Sequence, residues 1–225
     1  MEPLNAEKLL LSKIGFQEAL DISAIWFEYA VGLFRTVLAR HPKTVLEIGM
    51  ANGVSTMAIL SALSELGGDR LLISIDPNQS SGWHGVGSQN VRANGFSKYH
   101  RLIEEPDYLA LPDLARQHLS PEMAYVDGWH TFDYVLLDFF YIDKMLPVGG
   151  VVGFNDCGWR AVHRAIRFVQ THRKYSEIDV GIKRTYRARN PVNSLARRLL
   201  DWPNSDRWFE KAADWEPGST FYARF

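Results

Sequence analysis

The 225-residue sequence contains a single cysteine, Cys157. One cysteine excludes an internal disulfide and suits a reducing compartment, so a cytoplasmic location is expected. The longest apolar stretches, at 25–34 and 148–154, are short or carry a charge, so neither a membrane span nor a membrane partner is predicted. The N-terminal segment lacks a basic start followed by an apolar block, which argues against a signal peptide.

The sequence also lacks an internal repeat, a low-complexity tract and the Gly-x-Gly-x-x-Gly pattern of dinucleotide-binding turns. The absence of that pattern argues against an NAD-dependent enzyme. The hydrophobic content is 46%, which is enough to bury the core of one large domain. A single globular enzyme or binding domain is therefore the expected class.

The net charge of the chain is only −1, but the charged residues are unevenly distributed along it. Residues 1–158 carry 11 Lys and Arg against 19 Asp and Glu, whereas residues 159–225 carry 14 against 7. The stretch 181–200 contains six basic residues and no acidic one. Such a stretch is usually a solvated surface, and less often it attracts an anionic substrate or nucleic acid.

Apolar periodicity predicts two N-terminal helices, at 6–20 and 23–40, followed by strands that alternate with helices. Alternation of this kind predicts a mostly parallel sheet with helices on both faces. The seventh and last strand is expected at 219–225, after a long irregular stretch. The other strands are predicted at 44–49, 71–76, 99–104, 123–128, 151–156 and 175–180, and the intervening helices at 54–66, 88–95, 108–118, 131–146 and 160–171.

Chemically useful residues follow the first two predicted strands. The first ends in "LEIGMANGVS", where glycines allow a sharp turn before a helix, and the second ends at Asp76. Ligands of parallel α/β sheets bind beyond the carboxyl ends of the strands, where an acid can accept both hydroxyls of a ribose. A glycine turn alone is weak evidence, but with Asp76 in register it predicts a nucleoside site.

At this point the sequence resembles the class I S-adenosylmethionine-dependent methyltransferases, over about residues 44–166. "VLEIGMANGVSTMAIL" resembles the first motif of the small-molecule O-methyltransferases, and "YVDGWHTFDYVLLDFFYIDKMLPVGGVVGFNDC" resembles the fourth and fifth strands with their helix. The resemblance implies a Rossmann-like seven-stranded sheet, with N-terminal helices and a lid segment before the last strand. It also implies a set of cofactor-binding residues: Glu47, Gly49, Met50, Ala51, Asn52, Gly53, Ser55, Asp76 and Asp127.

The resemblance further implies a divalent-metal site. Catechol-type and antibiotic-sugar relatives bind a cation with an Asp after strand four and two oxygen ligands after strand five, and the matching residues here are Asp127, Asn155 and Asp156. Hard oxygen donors suit Mg²⁺ or Ca²⁺, and a bound cation would lower the pKa of an acceptor hydroxyl. Alternatively, Asp127 and Asp156 simply cap the helices that follow them.

Three residues beyond Asp127, where catechol-type relatives place a lysine base, this sequence has His130. A histidine accepts a proton near neutral pH, so His130 is the candidate catalytic base, or else a hydrogen-bond donor that positions a neighbour. The Asn155–Asp156 order departs from the catechol type, which favours a sugar or other polyol hydroxyl over a catechol. Trp83, Trp129 and Trp159 are expected to form an aromatic rim.

The sequence thus predicts metal-assisted O-methylation of a small-molecule hydroxyl on a sugar, polyol or phenol. Alternatives are a metal-independent N-methyltransferase, an enzyme acting on an anionic or nucleic-acid substrate, and a non-catalytic nucleoside-binding protein. The absence of an Asn/Asp-Pro-Pro-aromatic motif after strand four makes base methylation, and so nucleic acid, unlikely. The expected organisation is a helical cap at 1–40, which could form a homo-oligomer, and a methyltransferase domain at 41–225, in which 181–219 is a substrate lid.

Overall fold

A computed structural model describes residues 25–225 of the chain. The helix predicted at 6–20 lies outside the described residues, as do the first residues of the second predicted helix. Within residues 25–225, no helix has both the length and the apolar character needed to cross a membrane.

The described chain folds into one seven-stranded sheet with helices on both faces, as the sequence predicts. The strand order is β3-β2-β1-β4-β5-β7-β6, in which β7 alone runs antiparallel to its neighbours. The strands are β1 Thr44–Ile48, β2 Leu71–Ile75, β3 His100–Ile103, β4 Met123–Val126, β5 Val151–Phe154, β6 Tyr175–Ile178 and β7 Arg207–Lys211. The α-helices are Phe27–Arg40, Val54–Leu66, Val86–Ala93, Asp107–Arg116, Phe132–Met145, Arg160–His172 and Pro191–Leu199.

The core consists of two apolar layers, one on each face of the sheet. The first layer contains Phe34 of the helix Phe27–Arg40 and Leu60 of the helix Val54–Leu66, both fully buried. The second contains Phe139 and Ile166, from the helices that follow β4 and β5. The helix Phe27–Arg40 is therefore part of the main core, and the separate cap at 1–40 stays a prediction.

The sheet register brings the carboxyl ends of four strands together. Ile48, the last residue of β1, pairs with Ile75 of β2 on one side and with Val126 of β4 on the other. Val126 in turn pairs with Phe154, the last residue of β5. Residues that directly follow these strands are therefore neighbours at one edge of the sheet, although they are far apart in sequence.

The predicted last strand at 219–225 is wrong. The seventh strand is Arg207–Lys211, where Trp208 and Phe209 point to opposite faces and are 1% and 0% exposed. The C-terminal segment instead places the rings of Phe221 and Phe225 against His172, on the helix Arg160–His172. The segment 181–219 therefore contains the true last strand, and only its part before Arg207 precedes that strand.

Candidate active site

The loop after β1 is held to the end of β2 by Asp76. One carboxylate oxygen of Asp76 accepts hydrogen bonds from the backbone N–H groups of Met50 at 3.1 Å and Ala51 at 2.7 Å, and from the amide of Gln79 at 3.1 Å. The other oxygen accepts from the backbone N–H of Asn78 at 2.9 Å. Asp76 is thus buried as the anchor of the glycine turn, and its role toward a ribose stays a prediction.

The loop itself has the conformation that its glycines allow. Gly49 has φ +86°, and a Cβ there would lie 2.1 Å from the carbonyl oxygen of Asp127. Only glycine therefore fits where the backbone after β1 lies against the backbone after β4. Gly53, also at φ +86°, begins the helix Val54–Leu66. Ser55 lies buried in the first turn of that helix, and the carbonyl of Asn52 accepts a hydrogen bond from the Asn90 amide at 3.1 Å.

Glu47 is a fully buried carboxyl group inside β1. Its Oε2 accepts hydrogen bonds from the hydroxyls of Thr56 at 2.7 Å and Ser74 at 2.6 Å, whereas its Oε1 is buried without a partner. Burial raises the pKa of Glu47 to about 7, although hydrogen bonds from Ser55, Ser74 and Thr56 oppose the shift. An orphaned buried acceptor beside the glycine turn has the chemistry to bind an ammonium group.

A cavity of about 440 Å³ opens at the ends of β1, β2 and β4. This volume lies within the range of small-molecule sites. The residues that line it include Ala51, Asp76, Asp127, Trp83 and Trp129. Two of the three tryptophans predicted for an aromatic rim therefore share this cavity.

His130 lies between the carboxylates that follow β4 and β5. Its Nε2 is 3.3 Å from Oδ1 of Asp127 and 3.6 Å from Oδ2 of Asp156, and these are ion-pair contacts without aligned hydrogen-bond geometry. The indole of Trp159 packs against the imidazole with ring centroids 5.1 Å apart. The structure thus brings together three of the residues that the sequence singled out.

Neither aspartate serves as a helix cap. The cap residues of the following helices are Thr131 and Trp159, and neither helix begins with a side-chain capping bond. Asp156 has φ +49°, a left-handed conformation that is uncommon outside glycine and often marks functional turns. The alternative in which Asp127 and Asp156 cap helices is therefore wrong.

Burial and mutual contact shift the pKa values of this trio. Burial raises the pKa of Asp127 to about 6 despite the opposing contact with His130, and burial also raises the pKa of Asp156. For His130, burial acts to lower the pKa, but the contact with Asp127 and the negative charges of both aspartates outweigh it and raise the pKa. The imidazolium form of His130 is therefore stabilised where it lies.

Asn155 belongs to a separate buried network. Its amide nitrogen donates to Oδ1 of Asp206 at 3.0 Å and to the hydroxyl oxygen of Tyr125 at 3.3 Å, and that hydroxyl donates to Oδ2 of Asp206 at 2.7 Å. Residues 25–225 contain no group of three or more His, Cys, Asp or Glu arranged to hold a metal ion. The predicted metal site at Asp127, Asn155 and Asp156 includes an asparagine and so lies outside that set of residue types, and it stays a prediction.

Sequence reasoning missed a second carboxyl pair at the cavity wall. Asp107 lines the cavity and accepts a hydrogen bond from the backbone N–H of Tyr108 at 2.8 Å. Asp138 is fully buried on the helix Phe132–Met145, and neither of its oxygens has a regular hydrogen-bond partner. Burial, and then the charge of Asp107, hold the pKa of Asp138 well above its usual range. The only local sign of this pair in the sequence is the acidic residue Asp138 at a buried position of that helix.

The raised pKa of Asp138 should make the stability of the protein depend on pH. The pKa of Asp138 is higher in the folded state, so the folded state binds the extra proton once the pH exceeds the unfolded value, and the unfolding free energy falls as pH rises. Asp138→Asn removes this loss, so the Tm of the variant relative to that of the parent protein should be higher at pH 8 than at pH 5. Each kcal/mol of unfolding free energy that the parent protein loses between the two pH values corresponds to about 2–4 °C in Tm. Calorimetry of both proteins at the two pH values measures the difference.

Asp133→Asn is the matched control, because Asp133 is exposed on the same helix and is fully solvated. Its Tm difference from the parent should change little between the two pH values. A Tm difference for Asp138→Asn that is equally independent of pH would show that Asp138 is ionised in the folded protein.

Comparisons with known proteins agree with this geometry. Residues 46–157, about half of the chain, match a family profile described as a methyltransferase domain. This segment runs from β1 through β5 and contains the glycine turn, Asp76, Asp127, His130 and Asp156. No significant match was found among curated protein sequences.

Several solved structures share the fold. The O-methyltransferase TomG from Streptomyces achromogenes, involved in tomaymycin synthesis and in complex with SAM, is 15% identical with a TM-score of 0.67, and the match covers 95% of this chain and 91% of TomG. The O-methyltransferase from Bacillus cereus in complex with SAH is 10% identical at a TM-score of 0.67, with coverage of 94% and 92%. Cofactor-bound Rv0187 from MTB is 14% identical at 0.67, with coverage of 92% and 90%. At these identities the likeness shows a common fold.

Proposed function

The chain is a class I S-adenosylmethionine-dependent methyltransferase, and we propose that it methylates a hydroxyl oxygen of a small molecule. The observation that carries the proposal is His130, which lies between Asp127, a residue that lines the cavity, and Asp156. A hydroxyl is a weak nucleophile until it loses its proton, and a histidine is the side chain best suited to accept that proton near neutral pH.

The cofactor fits the residues beside the glycine turn. The cavity of about 440 Å³ would accept the nucleoside, with Asp76 at the ribose. The unpartnered Oε1 of Glu47 would attract the ammonium of the methionine part, and Gly49 to Ser55 would surround that part. Bound S-adenosylmethionine would supply an electrophilic methyl group. The residues of the chain would position the acceptor and remove its proton.

The chain's own residues would then position and deprotonate the acceptor. Asp127 and Asp156 would orient the imidazole through Nε2 and stabilise its charged form after Nδ1, the opposite ring nitrogen, has taken the hydroxyl proton. Trp129 and Trp159, which are 65% and 57% exposed, offer aromatic surfaces on which a sugar or phenol ring can pack.

Assistance by a divalent cation is also part of the proposal. Asp127 and Asp156 are hard oxygen ligands of the kind that Mg²⁺ binds, and such an ion would add Lewis acidity beside the acceptor hydroxyl. The third predicted ligand, Asn155, donates its amide nitrogen to Asp206, and the atom that would bind a cation is its amide oxygen. Removing divalent cations with a chelator therefore tests whether Asp127 and Asp156 bind a cation or contact His130 alone.

Calorimetric titration of S-adenosylhomocysteine into metal-stripped protein, repeated with Mg²⁺, tests the proposal. We expect one-to-one binding in the micromolar range, about −8 kcal/mol, in both conditions. A screen of hydroxylated acceptors with and without Mg²⁺ follows. If the cation assists, EDTA should lower turnover at least about tenfold without changing S-adenosylhomocysteine affinity. Turnover that resists EDTA would remove the cation, and absence of S-adenosylhomocysteine binding would overturn the proposed function.

A further inference from the structure

A strongly basic groove lies next to the candidate active site. It runs between the exposed face of the helix Arg160–His172 and the segment 188–202, and it consists of two adjoining cavities of about 790 and 490 Å³. Both cavities share Arg160, Leu200 and Trp202. We name it the arginine groove, after the five arginines that line it: Arg160, Arg164, Arg167, Arg189 and Arg197.

The positive charge of the arginine groove is not neutralised from within the protein. Among residues 25–225, none of its five arginines forms an ion pair with a carboxylate. Asp201 is the one acidic residue that lines the two cavities, and its Oδ1 is engaged by Nη1 of Arg184 at 2.8 Å. The groove therefore presents five guanidinium groups with no acidic side chain left to balance them.

His163 lies on the wall of the groove and stacks on the indole of Trp202 with ring centroids 4.7 Å apart. Burial lowers the pKa of His163 to about 4, and the positive charges of Arg207 and Arg167 act in the same direction. The His163–Trp202 stack therefore forms an uncharged part of the groove wall beside the arginines.

The groove wall is attached to the loop that carries Asp156. Nη2 of Arg197 donates to the carbonyl of Gly158 at 2.9 Å, and the indole N–H of Trp202 donates to the carbonyl of Cys157 at 3.0 Å. Arg160 directly follows Trp159, whose ring contacts His130. The groove thus begins one residue after Trp159, whose ring contacts the proposed catalytic base.

Resting on the methyl transfer proposed above, we propose that the acceptor is a phosphorylated small molecule whose phosphate binds in the arginine groove while its hydroxyl reaches His130. The planar guanidinium fork matches phosphate oxygens in a bidentate manner. Apolar surface from Leu199, Leu200 and Trp202 leaves room for an uncharged part of the same molecule. A nucleic acid fits less well, because residues 1–158 carry 11 basic against 19 acidic residues and would repel a polyanion extending beyond the groove.

Pyrophosphate is the probe for the test, titrated calorimetrically into the protein alone and into the protein with S-adenosylhomocysteine added. The double variant Arg160→Gln/Arg189→Gln should weaken pyrophosphate binding by about tenfold or more, because charge-assisted hydrogen bonds are lost. Arg101→Gln is the control, since Arg101 is exposed on β3 at the opposite end of the sheet, and its affinity should stay within about twofold of the parent. S-adenosylhomocysteine affinity, measured separately, should be the same in all three proteins.

Three results would overturn the inference. The first is no pyrophosphate binding, or binding that the double variant retains. The second is a single-stranded 20-mer DNA that binds more tightly than pyrophosphate with a steep salt dependence, which would indicate a nucleic-acid surface. The third is inhibition by pyrophosphate that is not competitive with an acceptor found in the screen. Failure of S-adenosylhomocysteine to bind would count against the proposed function alone, because pyrophosphate binding is scored independently.

Discussion

Replacing His130 by alanine should lower kcat by about 10²–10⁴-fold, the range that a positioned general base contributes. The reason is geometric, because Nε2 of His130 faces the carboxylates of both Asp127 and Asp156 where β4 and β5 end. Both carboxylates stabilise the imidazolium that proton transfer creates, so the imidazole is oriented before the acceptor arrives. Rates are measured with the acceptor that the screen identifies.

Chemical rescue separates a base from a merely structural residue. Imidazole added to the His130→Ala protein should restore part of the lost kcat, since the vacated space is bounded by the same two aspartates and Trp159. S-adenosylhomocysteine affinity should be unchanged. His41→Asn is the control, because His41 ends the helix Phe27–Arg40 at φ +52°, a conformation that asparagine tolerates. A His130→Ala protein with parental kcat would remove His130 as the base.

The sequence predicted the arrangement of the strand ends because that arrangement follows from topology. Once β1, β2, β4 and β5 are parallel and adjacent, the residues after them must share one edge of the sheet. Asp76, Asp127 and Asp156 are separated by up to 80 residues in sequence, yet all three lie at that edge. Only the last strand was misplaced, because "RWFEK" and "STFYARF" both combine aromatic and charged residues.

The partners of each side chain were not predictable in the same way. Asn155 was expected to face the metal with Asp156, but its amide binds Asp206, which immediately precedes β7. No local pattern marks Asp206 as a partner 51 residues downstream, because antiparallel pairing of β5 with β7 brings it there. Likewise, the closeness of Asp107 and Asp138 depends on the packing of two helices, which periodicity alone does not specify.

The same distinction applies to Asp76, whose position was predicted and whose bonds were not. Four donors from the chain already surround its two oxygens, and two of them are backbone N–H groups of the glycine turn. An ionised carboxylate offers about four lone-pair sites, so a ribose hydroxyl must share one of them. Asp76 therefore connects the shape of the turn with the affinity for the nucleoside.

Asp76→Ala should weaken S-adenosylhomocysteine binding by at least about 100-fold, because two or more charge-assisted hydrogen bonds of ~1.5–3 kcal/mol are lost. The same change leaves the N–H groups of Met50 and Ala51 without their acceptor, so the Tm of the ligand-free protein should also fall. Calorimetry and thermal unfolding measure the two effects on one preparation.

Asp76→Asn separates the two contributions, because it keeps one acceptor oxygen for the turn but loses the charge. If ribose binding dominates, its S-adenosylhomocysteine affinity falls while the ligand-free Tm stays near that of the parent protein. If anchoring of the turn dominates, affinity and Tm fall together, since a distorted turn no longer presents Gly49 to Ser55 correctly. Parental affinity in both variants would exclude Asp76 from the cofactor site, because neither contribution could then be present. Asp133→Asn, an exposed change far from the turn, should alter neither quantity and so calibrates both measurements.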